Sequence, residues 1–552
     1  MCDKPSEVAT VNSKRMSHTA IDPSVERPGQ FADIALPETI PALLERAARL
    51  YPQDAALNFF ESEVRMTFGA LYRTVKRLSH GLHKLGVGHG AHVAVLCSNR
   101  LEYPILWLAL AELGAVMVPI VLKSTAREIL YFLADAQAEF LVVENNLLQD
   151  RGLAAGQDGV PPQGRIVTIG GDSGSVTFDT LVAAGDTHFV APRVPLRSDR
   201  INIQYTSGTT GLPKGALLTH RYWILLGVAP VLVWGDWFGD LLAEAPFYYM
   251  DAQWMVIASL YTGARVDFAE KMSISKWLDR LYGCRTQVAW FLEQQLKVPP
   301  DPRERQCAVK LFMGEHLSRT ALIEAQERFG APIREAYGST EAGFVLSVPR
   351  EISDPSILGT CGIEGPFRKC RVVLPDGRDA PSGTAGELWV TGDGMFEGYY
   401  NKPDANAEIF VNEWFRTGDL FVRDAKGFYS FAGRLKDVIR RSGENISAVE
   451  VEQVLMSLPE IIQAAVLPVP DPVRGEEVKA YLQLAPGAGR PGNEVILAHC
   501  RERLAPFKVP RYVAFVSEFP YTASGKIAKQ HLTRDVADLR SGAYDAVDRI
   551  QR

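Results

Sequence analysis

The first four hundred residues alternate segments of helical periodicity with short apolar runs, and this alternation limits the fold more than any other feature. Residues 38–49 and 68–85 place their apolar side chains at helical spacing. Apolar runs of strand length lie at 92–97, 139–143 and 165–169. The alternation predicts βαβ units whose parallel sheets are buried between helices. Apart from its strand, segment 151–185 is rich in Gly, Pro and Asp and is predicted to be loop.

One apolar stretch, 103–122, is nearly long enough to cross a membrane. It carries Glu112 at its centre, and a carboxylate at mid-bilayer costs about 2.5–3.5 kcal/mol. Its second half, from Gly114, is rich in β-branched residues and is typical of a strand buried on both faces. The stretch therefore predicts a helix followed by a buried strand, and no membrane span.

The pattern of predicted elements changes at Gly386, where short strands begin to alternate with Gly-Asp turns. A last unit starts at about Arg434, with strand and helix lengths suited to a small α+β domain. We therefore predict an α/β protein with a large multi-subdomain N-terminal body of stacked sheets and helices, and a small C-terminal domain. The predicted boundaries are 1–30 for a flexible lead, 31–433 for the body and 434–552 for the C-terminal domain.

Composition excludes several classes of protein. The 552 residues include 59 Lys and Arg and 65 Asp and Glu, so the net charge of −6 gives no basic excess for binding nucleic acid. The seven cysteines are scattered and never form a CxxC pair, which predicts free thiols in a reducing compartment. The first residues contain no apolar signal segment, and we expect a cytoplasmic protein.

The strongest local motif is YTSGTTGLPKG at 205–215, directly after a strand-like INIQ. Its glycines allow tight turns, while its hydroxyls, backbone N–H groups and one lysine can surround a polyphosphate. It matches neither the Walker pattern nor a GxGxxG fingerprint, and a plain surface turn is the alternative interpretation. The predicted phosphate-binding residues are Thr206, Ser207, Gly208, Thr209, Thr210, Gly211 and Lys214.

Four further motifs follow in order: AYGSTEAG at 336–343, RTGDL at 416–420, GRLKDVIRRSGENISAVEVE at 433–452 and PYTASGKI at 520–527. Together with the phosphate loop they resemble the motifs of the adenylate-forming superfamily over nearly the whole chain. That superfamily contains acyl-CoA synthetases, amino-acid adenylation domains and firefly-type luciferases. The order of segments is also similar to that of carnitine-type CoA ligases. The chain also resembles natural-product acyl-CoA ligases.

The resemblance implies an acid–thiol ligase that uses ATP, Mg²⁺ and coenzyme A and forms an acyl-adenylate. Glu341 would hold the Mg²⁺, and Thr340 would bond the α-phosphate. Tyr337 would lie against adenine, while Asp419 would accept from the ribose hydroxyls with Arg434 nearby. The structural alternatives are a core aromatic for Tyr337 and a turn cap for Asp419. Further expected nucleotide contacts are Gly314, Gly338 and Ser339.

The resemblance also implies that the C-terminal domain is mobile. Lys526 would bridge the attacking carboxylate and the α-phosphate, and would leave before the thiol arrives. Rotation about a hinge at Lys436 would then bring Gly443 to the pantetheine tunnel, where a glycine leaves room for a thin chain.

Three departures from the family pattern bear on the chemistry. Tyr249 stands where a histidine is usual, Glu315 and His316 stand where small residues border the acyl pocket and adenine, and Arg440 replaces a lysine. A carboxylate at Glu315 would oppose the binding of phosphates unless His316 paired with it. A half-enzyme that accepts a preformed acyl-adenylate therefore stays open.

An aromatic-rich segment, 232–254, bears on the choice of acid. If these aromatics line the acyl pocket, they predict a bulky hydrophobic acid, whereas a core role is the alternative. An aromatic cage for a quaternary ammonium acid also stays open, since Asp236 and Asp251 lie in the same segment. The predicted pocket residues are Trp234, Trp237, Tyr248, Tyr249 and Trp254.

Other functions compete with the acid–CoA ligase. A freestanding adenylation enzyme would load a carrier protein; GGDS at 170–173 resembles a carrier attachment site, but no carrier-sized helical bundle surrounds it. A luciferase-like monooxygenase and a non-enzymatic adenylate-binding protein are further alternatives. The expected partners are a small carboxylic acid or its acyl-adenylate and CoA, with no nucleic acid and no membrane span. A homodimer stays open.

Overall fold

The structure is a computed structural model that describes residues 34–144, 147–171, 176–206, 213–314, 317, 319–352, 354–442, 444–521, 527–534 and 536–552. At Asp236, Lys436 and Asn445 it describes the backbone alone. The α-helices in these residues are Ile40–Leu50, Phe68–Lys84, Glu102–Leu113, Ala126–Asp135, Leu147–Asp150, Phe178–Ala183, His220–Trp234, Met250–Thr262, Trp277–Cys284, Arg319–Phe329, Pro403–Ile409, Ala448–Met456 and Asn493–Arg503. The 3₁₀ helices are Gln163–Arg165, Gly235–Trp237, Glu293–Lys297, Pro302–Gln306, Pro355–Ile357, Leu435–Asp437, Pro506–Lys508 and Lys529–Leu532.

Two large sheets with parallel centres form most of the N-terminal body. Across one sheet, in spatial order, lie Ile363–Glu364, Gly343–Ser347, Ile333–Ser339, Leu311–Gly314, Val288–Phe291, Leu241–Ala243, Val266–Phe268, Ala55–Phe59 and Val64–Thr67. Across the other lie Val176–Thr177, Ile166–Ile169, Phe140–Glu144, His92–Leu96, Val116–Pro119, Arg200–Thr206 and Lys214–Thr219. The antiparallel pairs lie at the ends of these sheets, and the other strands run parallel. The sequence pattern predicts this arrangement.

Two smaller sheets follow. The first contains Arg368–Val373, Ala385–Gly392, Trp414–Arg423, Phe410–Val411 and Tyr429–Arg434. The second contains Glu444–Ser447, Val438–Arg441, Gly475–Leu484, Tyr512–Phe515, Tyr544–Asp545, Ile550–Gln551 and Ile461–Asp471. The second sheet packs its helices over an apolar cluster of its own, which includes Ile439, Val451 and Val513. A large N-terminal α/β body with a smaller C-terminal α+β unit is therefore confirmed, while the exact domain boundaries stay a prediction.

The main core lies around helices that are apolar on all sides. In the helix Glu102–Leu113, every residue after Glu102 is buried, as expected for a helix enclosed by other elements. The helices His220–Trp234 and Met250–Thr262 cross closely at Gly227, where an added Cβ would lie 2.5 Å from Ile257 Cβ. A side chain at position 227 would therefore push these two helices apart.

The apolar stretch at 103–122 folds as predicted, into the helix Glu102–Leu113 and the strand Val116–Pro119. Its carboxylate, Glu112, forms an ion pair of 2.5 Å with Lys76. None of the helices in the described part of the chain has the length and apolar character needed to cross a membrane.

The prediction of loop over 151–185 is wrong at its end. Phe178–Ala183 is a short helix, preceded by the two-residue strand Val176–Thr177. Thr177 begins the helix with a capping box, in which its hydroxyl accepts from the amide of Thr180 and the Thr180 hydroxyl accepts in return from the Thr177 amide. Six residues are too few to show a helical period, so the capping residue Thr177 was the one sequence feature that indicated this helix. Residues 172–175, which include half of the GGDS motif, lie outside the described part of the chain.

A buried histidine predicts how stability depends on pH. His220 has no exposed surface, its Nδ1 accepts from the amide of Ile40, and burial lowers the pKa of its ring to about 4. The unfolded chain binds a proton as the pH falls below about 6.5, whereas the folded chain does not until about pH 4. We expect up to about 3 kcal/mol of stability to be lost between those pH values.

His220→Asn should remove this loss, because asparagine keeps an acceptor for the Ile40 amide but cannot bind the proton. Thermal unfolding from pH 7 to pH 4.5 measures the effect. The matched control is His188→Asn, since the side chain of His188 is 92% exposed. An equal pH slope in the wild type and in His220→Asn would contradict this role of His220.

Candidate active site

The predicted phosphate loop connects two antiparallel strands. Thr206 lies opposite Lys214, and the Thr206 hydroxyl donates to the Lys214 carbonyl at 3.4 Å. These two residues therefore mark the ends of the connection. The predicted contacts Ser207, Gly208, Thr209, Thr210 and Gly211 lie between them, outside the described residues.

A second segment, 397–400, pairs with the other edge of the strand Lys214–Thr219. The amide of Leu217 donates to Gly398, and the amide of Tyr400 donates to Gly215. Gly215 is tightly enclosed, because an added Cβ would lie 2.4 Å from Ile203 Cγ2. This pairing places the ring of Tyr399 5.2 Å from Lys214 Nζ, in a cation–π contact.

The same tyrosine holds the predicted Mg²⁺ ligand. The hydroxyl of Tyr399 donates to Glu341 Oε1 at 2.7 Å. Burial and the Glu341 carboxylate raise the pKa of Tyr399 well above its usual range, so its hydroxyl stays a donor. Sequence reasoning missed Tyr399; its only signal was an aromatic pair after Gly398.

The turn that carries Glu341 is fixed through its backbone. The carbonyl of Thr340 accepts from the hydroxyl of Tyr222 at 2.9 Å, and the carbonyl of Glu341 accepts from the amide of Phe396 at 2.9 Å. Ser339 caps the turn, since its hydroxyl accepts from the amide of Ala342. The side chains of Thr340 and Glu341 are only half-buried and remain accessible.

Two predicted nucleotide residues are directly bonded. The hydroxyl of Tyr337 donates to Asp419 Oδ2 at 2.7 Å, and Arg434 Nε lies 3.1 Å from Asp419 Oδ1. Burial, and then the Asp419 carboxylate, raise the pKa of Tyr337 well above its usual range. Phe421 packs its ring 4.8 Å from that of Tyr337, which leaves Tyr337 8% exposed. Gly338, next along the strand, is exposed.

Gly314 ends its strand opposite Glu335, a buried carboxyl that sequence reasoning missed. Glu335 Oε1 accepts from the amide of Leu317, and burial raises the pKa of Glu335 to about 7. Glu335 therefore holds one end of the segment that follows Gly314. Glu315 and His316, the predicted departures in that segment, lie outside the described residues.

The predicted C-terminal residues are less completely described. Lys526 and Gly443 lie outside the described residues, as does the side chain of Lys436. The backbone of Lys436 belongs to the 3₁₀ helix Leu435–Asp437, between the last strand of the third sheet and the first of the fourth. Arg440 is exposed, and its amide donates to Glu476 at 2.6 Å. None of its described contacts joins it to Asp419 or Tyr337.

The aromatic residues predicted to line the acyl pocket fall into different environments. Trp234 has no exposed surface and its indole donates to Val348, so it belongs to the core rather than to a pocket wall. Tyr248 and Tyr249 form a T-shaped pair at 4.7 Å, and Trp254 is 6% exposed. Trp237 lies beneath the guanidinium groups of Arg334 and Arg350, at 5.2 and 5.8 Å. The ring of Trp237 therefore already contacts two cationic side chains of this chain.

Comparison with protein families matches the parts of the chain that carry the motifs at 205–215 and 336–343. Residues 44–400 match the model of the AMP-binding enzyme family, and residues 450–526 match that of the AMP-binding enzyme C-terminal domain. The chain belongs to the AMP-binding enzyme family. The prediction of the adenylate-forming superfamily is thereby confirmed.

Relatives of this AMP-binding enzyme include acid–CoA ligases. A feruloyl-CoA synthase from Amycolatopsis sp is 32% identical over 499 residues, which cover 89% of this chain and 97% of that protein. A crotonobetaine/carnitine–CoA ligase from Proteus sp. (strain LE138) is 29% identical over 515 residues, which cover 88% and 97%. The predicted enzyme class, an acid–thiol ligase of the acyl-CoA synthetase branch, is confirmed at this level.

Solved structures agree over the same length. The anthranilate CoA ligase AuaEII in complex with anthranoyl-AMP superposes with a TM-score of 0.80 at 26% identity, covering 91% of this chain and 98% of that one. The o-succinylbenzoate CoA synthetase MenE of Bacillus subtilis, in complex with ATP and a magnesium ion, gives a TM-score of 0.78 at 26% identity, covering 89% and 99%. The predicted cofactors ATP or AMP, Mg²⁺ and coenzyme A are therefore those of such enzymes.

The oxygen donors of this AMP-binding enzyme fit a magnesium ion. Mg²⁺ is usually held by one or two carboxylates together with substrate phosphates and waters. Glu341 offers a half-buried carboxylate, and the Thr340 hydroxyl lies beside it in the chain. The described residues contain no group of three His, Cys, Asp or Glu side chains that could hold a metal. The family resemblance implies that Glu341 would hold the ion together with the phosphates.

Asp419→Asn should weaken the binding of AMP by about 10- to 100-fold, since a hydrogen bond to a charged group contributes about 1.5–3 kcal/mol. Asparagine keeps the size of the side chain but loses the ion pair with Arg434 and the ability to accept from two ribose hydroxyls. Calorimetric titration with AMP measures the change. The control is Asp379→Asn, in an exposed pair with Arg371. Unchanged AMP affinity in Asp419→Asn would exclude Asp419 from the ribose site.

Proposed function

We propose that this AMP-binding enzyme is an acyl-CoA ligase, which activates a carboxylic acid as its acyl-adenylate and then transfers the acyl group to coenzyme A. The observation that carries the proposal is that two bonded groups meet on residues four positions apart, one in the strand Ile333–Ser339 and one in the turn that follows it. Tyr337 connects to Asp419 and Arg434, while Glu341 connects to Tyr399 and thereby to Lys214.

In the first half-reaction, an oxygen of the acid carboxylate attacks the α-phosphorus of ATP, and the bond to pyrophosphate breaks. Both reactants are anions, so catalysis depends on cations and N–H donors placed around the phosphates. Lys214 stands at the end of the phosphate loop and supplies one positive charge. Lys526 supplies a second in this proposal, between the carboxylate and the α-phosphate. Mg²⁺ bound at Glu341 neutralises the phosphates.

In the second half-reaction, the sulfur of CoA attacks the acyl carbon, the thiol proton is released, and AMP leaves with the bonding electrons. The thiol needs the space that Lys526 would occupy during adenylation. In this proposal the C-terminal unit therefore turns about Lys436 and brings Gly443 to the pantetheine tunnel. Two features support this rotation: the short 3₁₀ helix Leu435–Asp437 joins two different sheets, and the C-terminal unit has its own apolar core.

The substrate we propose is a bulky hydrophobic acid. Tyr248 and Tyr249 pack edge to face at 4.7 Å, and the buried Trp254 follows them in the helix Met250–Thr262. Met250 Sδ lies 3.9 Å from the Tyr222 hydroxyl, which bonds the Thr340 carbonyl. These contacts connect the aromatic segment to the turn at which adenylation takes place. The name feruloyl-CoA synthase describes an aromatic acid as the substrate of one relative.

An enzyme that accepts a preformed acyl-adenylate and forms only the thioester is the second candidate, because Tyr249 stands where a histidine is usual. Burial raises the pKa of Tyr249 above its usual range, so this hydroxyl stays neutral where the usual histidine could carry a positive charge. A neutral group at that position gives less attraction for the incoming carboxylate.

A panel of acids tested in two assays decides between these functions. Exchange of labelled pyrophosphate into ATP measures adenylation, and thioester formation from a synthetic acyl-adenylate measures transfer. Acid-dependent exchange followed by transfer to CoA is the expected result. Transfer without exchange selects the half-enzyme, and transfer only to a phosphopantetheinylated carrier protein selects the carrier-loading enzyme.

Lys526→Ala should reduce exchange by roughly three orders of magnitude and leave transfer from the preformed adenylate largely intact. A cation 4 Å from an anion contributes about 4 kcal/mol at an effective dielectric constant near 20, which corresponds to that factor in rate. Both assays above apply, and Lys426→Ala, which removes a lysine that is 60% exposed, is the control. Equal losses in the two half-reactions would refute the role of Lys526.

Gly443→Trp should show the opposite pattern, because an indole would obstruct the path of the pantetheine chain while leaving the adenylation site untouched. We expect exchange to be retained and thioester formation to fall at least tenfold, the loss that follows from about 1.4 kcal/mol. Gly489→Trp is the control, because Gly489 is exposed and an added Cβ there would meet no atom within 4 Å. A normal rate of thioester formation in Gly443→Trp would remove Gly443 from the tunnel.

A further inference from the structure

A buried arginine, Arg368, lies next to the turn that carries Glu341. It begins the first strand of the third sheet and is 3% exposed. Among the described residues, no carboxylate lies within ion-pair distance of its guanidinium group. A buried charge without a counter-ion is costly unless hydrogen bonds surround it.

Carbonyl groups from three segments surround this guanidinium. Nε donates to Ala342 at 2.7 Å, and Nη1 donates to Phe367 at 3.0 Å and to Asp393 at 2.6 Å. Nη2 donates to Gly394 at 3.3 Å. The planar fork of arginine suits such an arrangement, because its donors point in fixed, diverging directions.

Two of these segments carry the groups that hold Glu341. Ala342 directly follows Glu341, whereas Asp393 and Gly394 precede the stretch that leads to Phe396 and Tyr399. Those two residues in turn bond Glu341, through its carbonyl and its side chain respectively. Arg368 thus joins both sides of the contact that orients the carboxylate.

The contacts of neighbouring arginines differ from those of Arg368. Arg221 also reaches Asp393, but it bonds the exposed carboxylate of that residue rather than the backbone. Arg371, on the same strand as Arg368, pairs with Asp379 at the surface. Only the guanidinium of Arg368, among these three, connects the backbone of the Glu341 turn to that of the 393–394 turn.

We propose that Arg368 is a positioning residue for the adenylation half-reaction, which fixes the Glu341 carboxylate for the Mg²⁺–ATP complex by joining the 342 and 393–394 turns. Arg368 does not touch the nucleotide; it acts through Glu341 and Tyr399. The inference rests on the proposed function, since it assigns Arg368 to the ATP-dependent step alone.

The first experiment measures nucleotide binding rather than turnover. Calorimetric titration of the full chain with ATP, with and without Mg²⁺, gives the factor by which Mg²⁺ strengthens ATP binding. We expect Arg368→Met to reduce that factor about tenfold or more, as the loss of hydrogen bonds from a charged group would. The affinity for ATP without Mg²⁺ should change little. Arg368→Lys should behave similarly, because one ammonium group cannot reach carbonyls on both turns.

The second experiment tests the route through Tyr399. Tyr399→Phe removes the hydroxyl that bonds Glu341 and should also weaken the effect of Mg²⁺. If Arg368 acts through the same contact, the double variant Arg368→Met with Tyr399→Phe will lose little more than either single variant. Fully additive losses would show that Arg368 does not act through Tyr399. Arg371→Met is the control, because it removes a cation from the same strand.

Three results separate the inference from its alternatives. An unchanged Mg²⁺ factor in Arg368→Met overturns the inference. Equal losses in AMP affinity, Mg²⁺-free ATP affinity and thioester formation from the synthetic adenylate also overturn it, because Arg368 would then serve only the fold. Absence of ATP binding and of pyrophosphate exchange in the wild type would instead refute the adenylation step of the proposed function, and the inference with it.

Discussion

The strand Lys214–Thr219 is hydrogen-bonded on both of its edges, and the arrangement of the site depends on this double pairing. One edge meets the strand Arg200–Thr206 and so closes the phosphate loop, while the other meets residues 397–400 and so fixes Tyr399. A shift of one residue in the second pairing would turn Tyr399 to the opposite side of the strand. It would then reach neither Lys214 nor Glu341. Backbone register in this region therefore determines where Tyr399 lies relative to Lys214 and Glu341.

Much of the fold can be predicted from sequence where a periodic pattern is long. Phe68–Lys84 and the helix–strand pair at 102–119 follow directly from their apolar patterns, because burial on one face or on all faces leaves a distinct signature. The helix Phe178–Ala183 could not be predicted in this way, since its stability depends on a cap and on packing against distant residues. Similarly, Trp234 differs from its aromatic neighbours only by its tertiary surroundings, which composition does not reveal.

The motifs predict which residue types stand at the site but not how they are connected. Tyr337 and Asp419 belong to two separate motifs, and nothing in either motif shows that a hydrogen bond joins them. Arg368, Glu335 and Tyr399 lie outside the recognised motifs altogether. Each acts on the site through contacts between residues far apart in the chain, and such contacts exist only after folding. What sequence reasoning lacks here is the layer that supports the motif residues.

The distribution of the cores bears on how one site can serve two reactions. The C-terminal sheet packs its own helices over apolar clusters of its own, which are separate from those of the body. Ion pairs within this unit, such as Lys529 with Glu452 and Arg441 with Glu477, likewise stay together if the unit moves as a whole. The contacts that a rotation would have to break are thus limited to those near the 3₁₀ helix Leu435–Asp437 and the facing surfaces. Interfaces between domains of one chain are generally more polar than cores, and relative motion is their default. A unit with a complete core can present two different surfaces without unfolding.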